Sequence, residues 1–192
     1  MEPPLSSLAL VPDAIAGVML TASGDPEALP RLPGHRLLAA GSPVLTAART
    51  SLAGGAVRTH FLTPRHGDAS AGLLRVTVLS RQPAPSIHHQ ALVLLLPPPD
   101  LRGLTHRELQ VLGLLIEGEN NAAIAGRLHI SVRTAAGHVD HILAELHATS
   151  RTMAAVSALR QGLYIPAVVA TSSGFPSGDA EVSNGSRIGI AR

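Results

Sequence analysis

Three consecutive prolines and an aspartate, Pro97-Pro98-Pro99-Asp100, constrain this chain more than any other run in it. Proline fixes φ and lacks a backbone donor. A triplet can therefore continue neither a helix nor an inner strand, and it favours an extended, semi-rigid segment between folding units. The 192 residues divide accordingly into residues 1–96, rich in Ala, Leu, Gly and Pro, a Pro-rich linker at 97–103, a stretch dense in helical signals at 104–166, and a Ser/Gly-rich tail at 167–192. At ~150 residues per domain, one small domain and a partner segment are expected. The tail has little to bury and is expected to be disordered.

The region after the linker is the informative one. Thr105 and Glu108 form an N-cap and N3 pair, the spacing of a capping box, and Leu104 and Leu109 flank it as a hydrophobic staple. A helix starts there. Val111, Leu112, Leu115 and Ile116 extend its apolar stripe, and Gly118 stands where a left-handed residue would end it. Asn120 or Asn121 caps a second, short helix with Ile124, Ala125 and Leu128 inward. His129-Ile130-Ser131 is expected to turn tightly, and Ser131 caps a third helix. There Ala135, Val139, Ile142, Leu143 and Leu146 recur at helical spacing. The opposite face of that helix presents Arg133, Ala136, Gly137, Asp140 and Ala144, with Val132, His138 and His141 at its margins. A fourth helix follows Ser150, with Ala155, Val156 and Leu159 expected inward, and stops at Gly162.

A short helix, a three-residue turn and a longer exposed helix make the helix-turn-helix arrangement, whose second helix enters the DNA major groove. Many small helical bundles share the periodicity, so spacing alone does not settle the function. The residues go further. The stretch LTHRELQVLGLLIEGENNAAIAGRLHISVRTAAGHVDHILAELHATSR resembles, without gaps, the LuxR/GerE-type helix-turn-helix domain of bacterial transcription regulators. The matching positions include Thr105, Glu108, Gly118, Ile124, Ser131, Thr134, His138, Val139, Ile142 and Arg151. The resemblance implies an all-α four-helix domain and a recognition helix from residue 131 or 132 to about 146. It also implies a last helix that often pairs subunits on DNA.

Departures from the family pattern fall on the DNA-facing side. Ala135-Ala136 stands where the family usually has Val-Lys, and Asp140 and Glu145 occupy positions that are frequently basic in relatives. Gly137 sits inside the helix, where glycine costs ~1 kcal/mol relative to alanine. Each lost phosphate contact lowers affinity and flattens its salt dependence, because non-specific binding is largely counterion release. The candidate DNA-binding residues are Arg127, Ser131, Val132, Arg133, Thr134, Ala136, Gly137, His138, Asp140 and His141. Asp140 has a second use, since an aspartate in the groove can accept from cytosine N4. Arg107, Glu108 and Arg151 have an alternative use as capping or ion-pairing residues within the domain, and His138 as a packed side chain.

Residues 1–96 carry weaker signals. Strands are expected at 14–22, 56–64, 72–81 and 90–96 and a helix near 37–52, an α+β segment with antiparallel pairing. This order resembles a reduced PAS- or GAF-type sensory domain. Phe61 is the only aromatic residue of the first hundred, so no flavin, haem or other cofactor is expected. The tryptophans on which acyl-homoserine-lactone receptors rely are also absent. His35, His60, His66, His88 and His89 lack the spacing of a metal site. Ser86 beside His88 and His89 has no nucleophile elbow, so no enzyme is expected.

Composition closes off other chemistries. The chain has no Cys, so thiolate catalysis, Cys-type zinc sites and disulfides are excluded, and a reducing cytoplasm suits it. All 15 of its basic residues are Arg, so the lysines of P-loops, kinases and phosphoreceiver domains are missing. The pI near 10.3 misleads, because the net charge is only +2 and arginine keeps its proton to high pH. The longest apolar runs, 14–20 and 91–96, are far short of the ~18 residues of a membrane span, and Glu2 and Pro12 argue against a secretory signal. The expectation is a cytoplasmic transcription regulator that binds double-stranded DNA as a homodimer, with 1–96 as a sensory or dimerisation segment. The alternative is a LuxR-like interaction module with weak or lost DNA binding that pairs with a related regulator.

Overall fold

The computed structural model describes residues 13–65, 72–80 and 89–172. Five strands form one antiparallel sheet: β1 (Ala16–Thr21), β2 (Pro26–Ala28), β3 (Arg58–Pro64), β4 (Leu73–Ser80) and β5 (His89–Leu96). Their spatial order is β2-β1-β5-β4-β3. Alternation sorts their side chains into two faces. On one face Ala16, Leu95, Val76 and Phe61 stand in register across four strands, each at most 1% exposed. On the other, Leu94 is opposite Gly17, where a Cβ would come within 2.7 Å of the Leu94 side chain and 3.1 Å of that of Leu29. Leu29, Leu94 and Leu96 make a small second cluster there.

Helix α1 (Pro43–Ala53) begins where Ser42 Oγ accepts the Leu45 N–H and Pro43 pre-sets the first turn. It buries Val44, Leu45, Ala47 and Ala48 in the main core. Arg49 ties it to the β1–β2 turn, its Nη2 donating to the Gly24 carbonyl at 2.6 Å. Before it, the Leu37 N–H donates to His35 Nδ1 at a single 3₁₀ turn, Arg36–Leu38.

After the prolines come α2 (His106–Ile116), α3 (Asn121–Leu128), α4 (Val132–Glu145) and α5 (Arg151–Gln161). Their ends follow the side chains that can satisfy free backbone groups. Thr105 and Glu108 form the expected capping box, Asn120 caps α3, Ser131 caps α4 and Ser150 caps α5. His129 turns the chain between α3 and α4 at φ +54. Inside, Leu109, Leu112, Ile124, Ala135 and Ile142 are completely buried.

Three expectations need correction. The short edge strand β2 was not anticipated, because its three residues carry no alternation long enough to read. Helix α5 is turned from the expected face: Ala154 and Ala158 are its buried residues, Ala155 packs half-buried against the core, and Val156 and Leu159 are each 46% exposed. Two alanines let α5 lie close to α2, and that leaves the larger side chains outside. The tail does not begin at 167, because residues 167–172 form α6 (Ala167–Ser172). Its Ala167 and Val169 are buried, and α6 packs against α1, a partner more than a hundred residues earlier that no local pattern reveals. The rest of the tail, 173–192, and Ser86, His66 and His88 lie outside the described residues.

Sheet and helices share a single main core. Tyr164, after α5, stands against Phe61 with ring centroids 6.4 Å apart. Burial pushes its phenol pKa up, against a smaller opposite effect of a Thr59 hydrogen bond. On β3, the Arg58 Nε–H donates to His60 Nε2 at 3.0 Å, and His60 Nδ1 lies 2.9 Å from Thr77 Oγ1. Burial, then the charges of Arg58 and Arg75, hold the His60 pKa below its ordinary 6.5.

Candidate nucleic-acid interface

The first turn of α4 is built from its cap outward. Ser131 Oγ accepts the Thr134 N–H at 3.0 Å and lies 2.8 Å from Thr134 Oγ1, so both hydroxyls are engaged at the helix start. The next backbone N–H groups remain at the positive end of the helix dipole, where phosphate is favoured. Val132 is 53% exposed beside them.

Arg133, Gly137 and Asp140 continue an exposed face, with Ala136 half-buried at its side. A Cβ at Gly137 would meet nothing within 4 Å, so glycine there answers no packing need within the domain. Among the described residues Arg133 and Asp140 have no ion-pair partner. One cation and one anion, about 10 Å apart along the axis by helical rise, therefore carry the charge of this face.

Other candidates are tied back into the domain. Glu108 is 4% exposed. Its Oε2 accepts from the Thr105 N–H and hydroxyl, both at 2.8 Å, and its Oε1 lies 2.7 Å from His141 Nδ1 and 4.0 Å from His138 Nδ1. A carboxylate at that distance requires the proton of His141 on Nδ1. One glutamate thus closes the cap of α2 and fastens α4 to it. His138 is half-buried, in keeping with the packed alternative. Glu145 lies 3.6 Å from His141 Nε2, and its carboxylate covers Gly103, within 2.9 Å of where a Cβ would stand. It is engaged within the domain and is not a free negative charge on the outer face.

Arg127 pairs with Glu117 at 2.9 Å and lies 3.7 Å from Glu119. Such exposed pairs contribute ~0–1 kcal/mol, so this guanidinium can change partners at little cost. Arg151 donates to the Glu119 carbonyl and Arg107 to Gln110 Oε1 at 3.1 Å, both within the domain. The resemblance implies that the last helix often pairs subunits, but sequence reasoning placed Val156 and Leu159 inward and so missed which residues form the outer surface of α5. Met153, Val156 and Leu159 are 56%, 46% and 46% exposed, and an open groove of about 410 Å³ runs beside them, lined by Leu115, Ile116, Arg151 and Ala155. Their spacing of three residues was the available signal.

Residues 102–158 match the family described as bacterial regulatory proteins, luxR family. These residues form a LuxR-family helix-turn-helix domain. Over 68 residues the chain is 40% identical to the transcriptional regulatory protein LnrK of Bacillus subtilis, covering 35% of this chain and 31% of LnrK. Over 60 residues it is 43% identical to LiaR of the same organism and 38% identical to the response regulator VraR of Staphylococcus aureus, covering 28% and 29% of those proteins. The chain thus spans under a third of the length of each. A solved structure of the Vibrio cholerae VqmA dimer is 17% identical, with 86% of this chain and 92% of that one covered at a TM-score of 0.39.

In the LuxR-family domain of this chain, α4 leaves its outward face open and α5 leaves its own apolar stripe open. The sheet covers neither. Among the described residues no helix is long and apolar enough to cross a membrane.

Proposed function

We propose that this chain is a cytoplasmic transcription regulator that binds duplex DNA by placing α4 in the major groove, as a homodimer paired through the outer face of α5. The observation that carries the reading is the LuxR-family domain at 102–158 with an open α4 face on which Arg133 is exposed and unpaired. Arg133 reaches base edges or phosphate, the backbone of the first α4 turn takes a phosphate, and Asp140 accepts from a cytosine amino group. The exposed stripe of Met153, Val156 and Leu159 supports pairing, since apolar surface of this kind marks contact sites.

The sheet order β2-β1-β5-β4-β3 with α1 on its buried face supports reading residues 1–96 as a reduced PAS- or GAF-like sensory or dimerisation segment. Phe61 is the only aromatic residue of the first hundred, so the reading includes no flavin, haem or other cofactor. The relatives' names describe transcriptional and response regulators, and the proposal assigns this chain no catalysis.

Fluorescence-anisotropy titration against mixed-sequence duplex DNA at several salt concentrations tests the reading. About two phosphate contacts per subunit give a log–log salt slope near −4 for a dimer. Ala136→Lys/Asp140→Lys restores the charge of the family pattern and steepens that slope. Micromolar or tighter binding by the unaltered chain, weakening with salt, supports the regulator. Binding by the lysine variant alone overturns it and favours the interaction module that pairs with a related regulator.

A further inference from the structure

We propose that residues 162–172 form a latch that locks the helix-turn-helix onto the sheet, so that the orientation of α4 follows the edge of β3. The latch forms whether or not α4 binds DNA.

The latch is traced by backbone contacts. Helix α5 ends at Gly162, whose φ of +70 suits glycine, and a Cβ there would fall 2.5 Å from His60 Cβ and 3.1 Å from the His60 carbonyl oxygen. The chain then runs beside β3, the last strand of the sheet, where the Leu62 N–H donates to the Tyr164 carbonyl at 2.8 Å. One residue on, the Ile165 N–H donates to the Leu109 carbonyl of α2 at 3.0 Å. A single extended segment is therefore bonded to the sheet on one side and to the first helix of the LuxR-family domain on the other. Helix α6 completes the wrap by packing on α1. Leu163, Tyr164, Ile165, Ala167 and Val169 are all buried.

The sequence accommodates this closeness at one place within a helix. A Cβ at Gly113, in the middle of α2, would stand 2.0 Å from the Ile165 carbonyl oxygen. Glycine weakens a helix interior, yet here it is the residue that lets a foreign backbone lie against α2. With both the 97–103 connection and the latch in place, the domain is held at its two ends and cannot swing about the prolines. The open faces of α4 and α5 show that the latch sets orientation and does not cover a binding surface. A displacement of the β3 edge passes through Tyr164 and Ile165 to α2, and through Gly162 to α5.

Amide hydrogen exchange on the full chain, read residue by residue by NMR, tests this. Gly113→Ala favours α2 itself and forces only the Ile165 backbone away; Tyr164→Ala loosens the same segment from the sheet side without touching α2. In at least one of them the amides of Leu62 and Ile165 are expected to exchange at least tenfold faster, while those of Val76 in β4 and Ile142 in α4 stay within threefold of the unaltered chain. Unchanged exchange at Leu62 and Ile165 in both variants overturns the latch. So does a joint loss of protection at all four amides in both, because the sheet and domain then open as one unit.

Discussion

Helices α4 and α5 are neighbours built on opposite plans. In α4 the large apolar side chains, Val139 and Ile142, point inward, and the outward face holds Arg133, Gly137 and Asp140. In α5 the inward residues are Ala154 and Ala158, and the large ones point out. Both helices are amphipathic, but only α4 spends its apolar side chains on the fold. The outward stripe of α5 is only about half covered within the monomer, which is the pattern of a helix face left open for a partner.

The largest effect expected from this contrast is on stability. Ile142→Ala should lower the unfolding free energy by about 2–5 kcal/mol, because it opens a cavity in a fully buried site. Leu159→Ala should cost under about 1 kcal/mol. Urea denaturation compares them directly, and equal losses would break the contrast. Next, Met153→Asp/Val156→Asp should weaken self-association by a hundredfold or so, about 3 kcal/mol, with unfolding of the monomer nearly unchanged. Sedimentation across a concentration series measures this; an unaltered dimer would remove the assigned purpose of α5.

On the α4 side, Arg133→Ala should cost about 1–3 kcal/mol of duplex binding and make the salt slope shallower. An anisotropy titration that shows no change would remove Arg133 from the interface. Smaller again is the loss on Glu108→Ala, about 1–2 kcal/mol, because the cap of α2 and the tie to His141 go together. Ser150→Ala at the start of α5 removes a cap alone and should cost less, which thermal denaturation of the pair can rank.

The smallest effect separates the two helices by pH. The His60 pKa is lowered, so the unfolded chain takes up a proton that the folded chain resists. Its contribution to stability is complete above pH ~6.5 and is lost as the pH falls. Gly162, the end of α5, rests on His60, while α4 does not. His60→Asn should therefore reduce the drop in Tm between pH 7.5 and 5.5, and an identical drop would dissociate His60 from the acid response.

The helical domain was legible because its determinants are local. Thr105, Asn120, Ser131 and Ser150 each accept from the backbone N–H three residues on, and the α4 stripe repeats within one helix. The four long strands were legible for the same reason, with ends misplaced by at most two residues. What escaped reading depends on partners distant in the chain. β2 exists because β1 is beside it, α6 because α1 receives it, and the small inward face of α5 because α2 lies close. At the candidate site, the open position of Arg133 followed from periodicity. The engagement of His141 and Glu145 did not, since Glu108 lies more than thirty residues before His141 and Gly103 more than forty before Glu145.

The covered edge of β3 bears on how such a protein can be assembled from parts. LuxR-type output domains invite treatment as cassettes, to be cut at a linker such as 97–103 and joined to another sensor. Here that cut would strand residues 162–165 with the helical part, take the Tyr164 carbonyl from the Leu62 N–H and uncover the β3 edge. Such an edge invites pairing with other chains and aggregation. The unit that recombination can exchange intact therefore includes the sheet, the helical domain and residues 162–172 together, and a fragment ending at the prolines is expected to be poorly soluble.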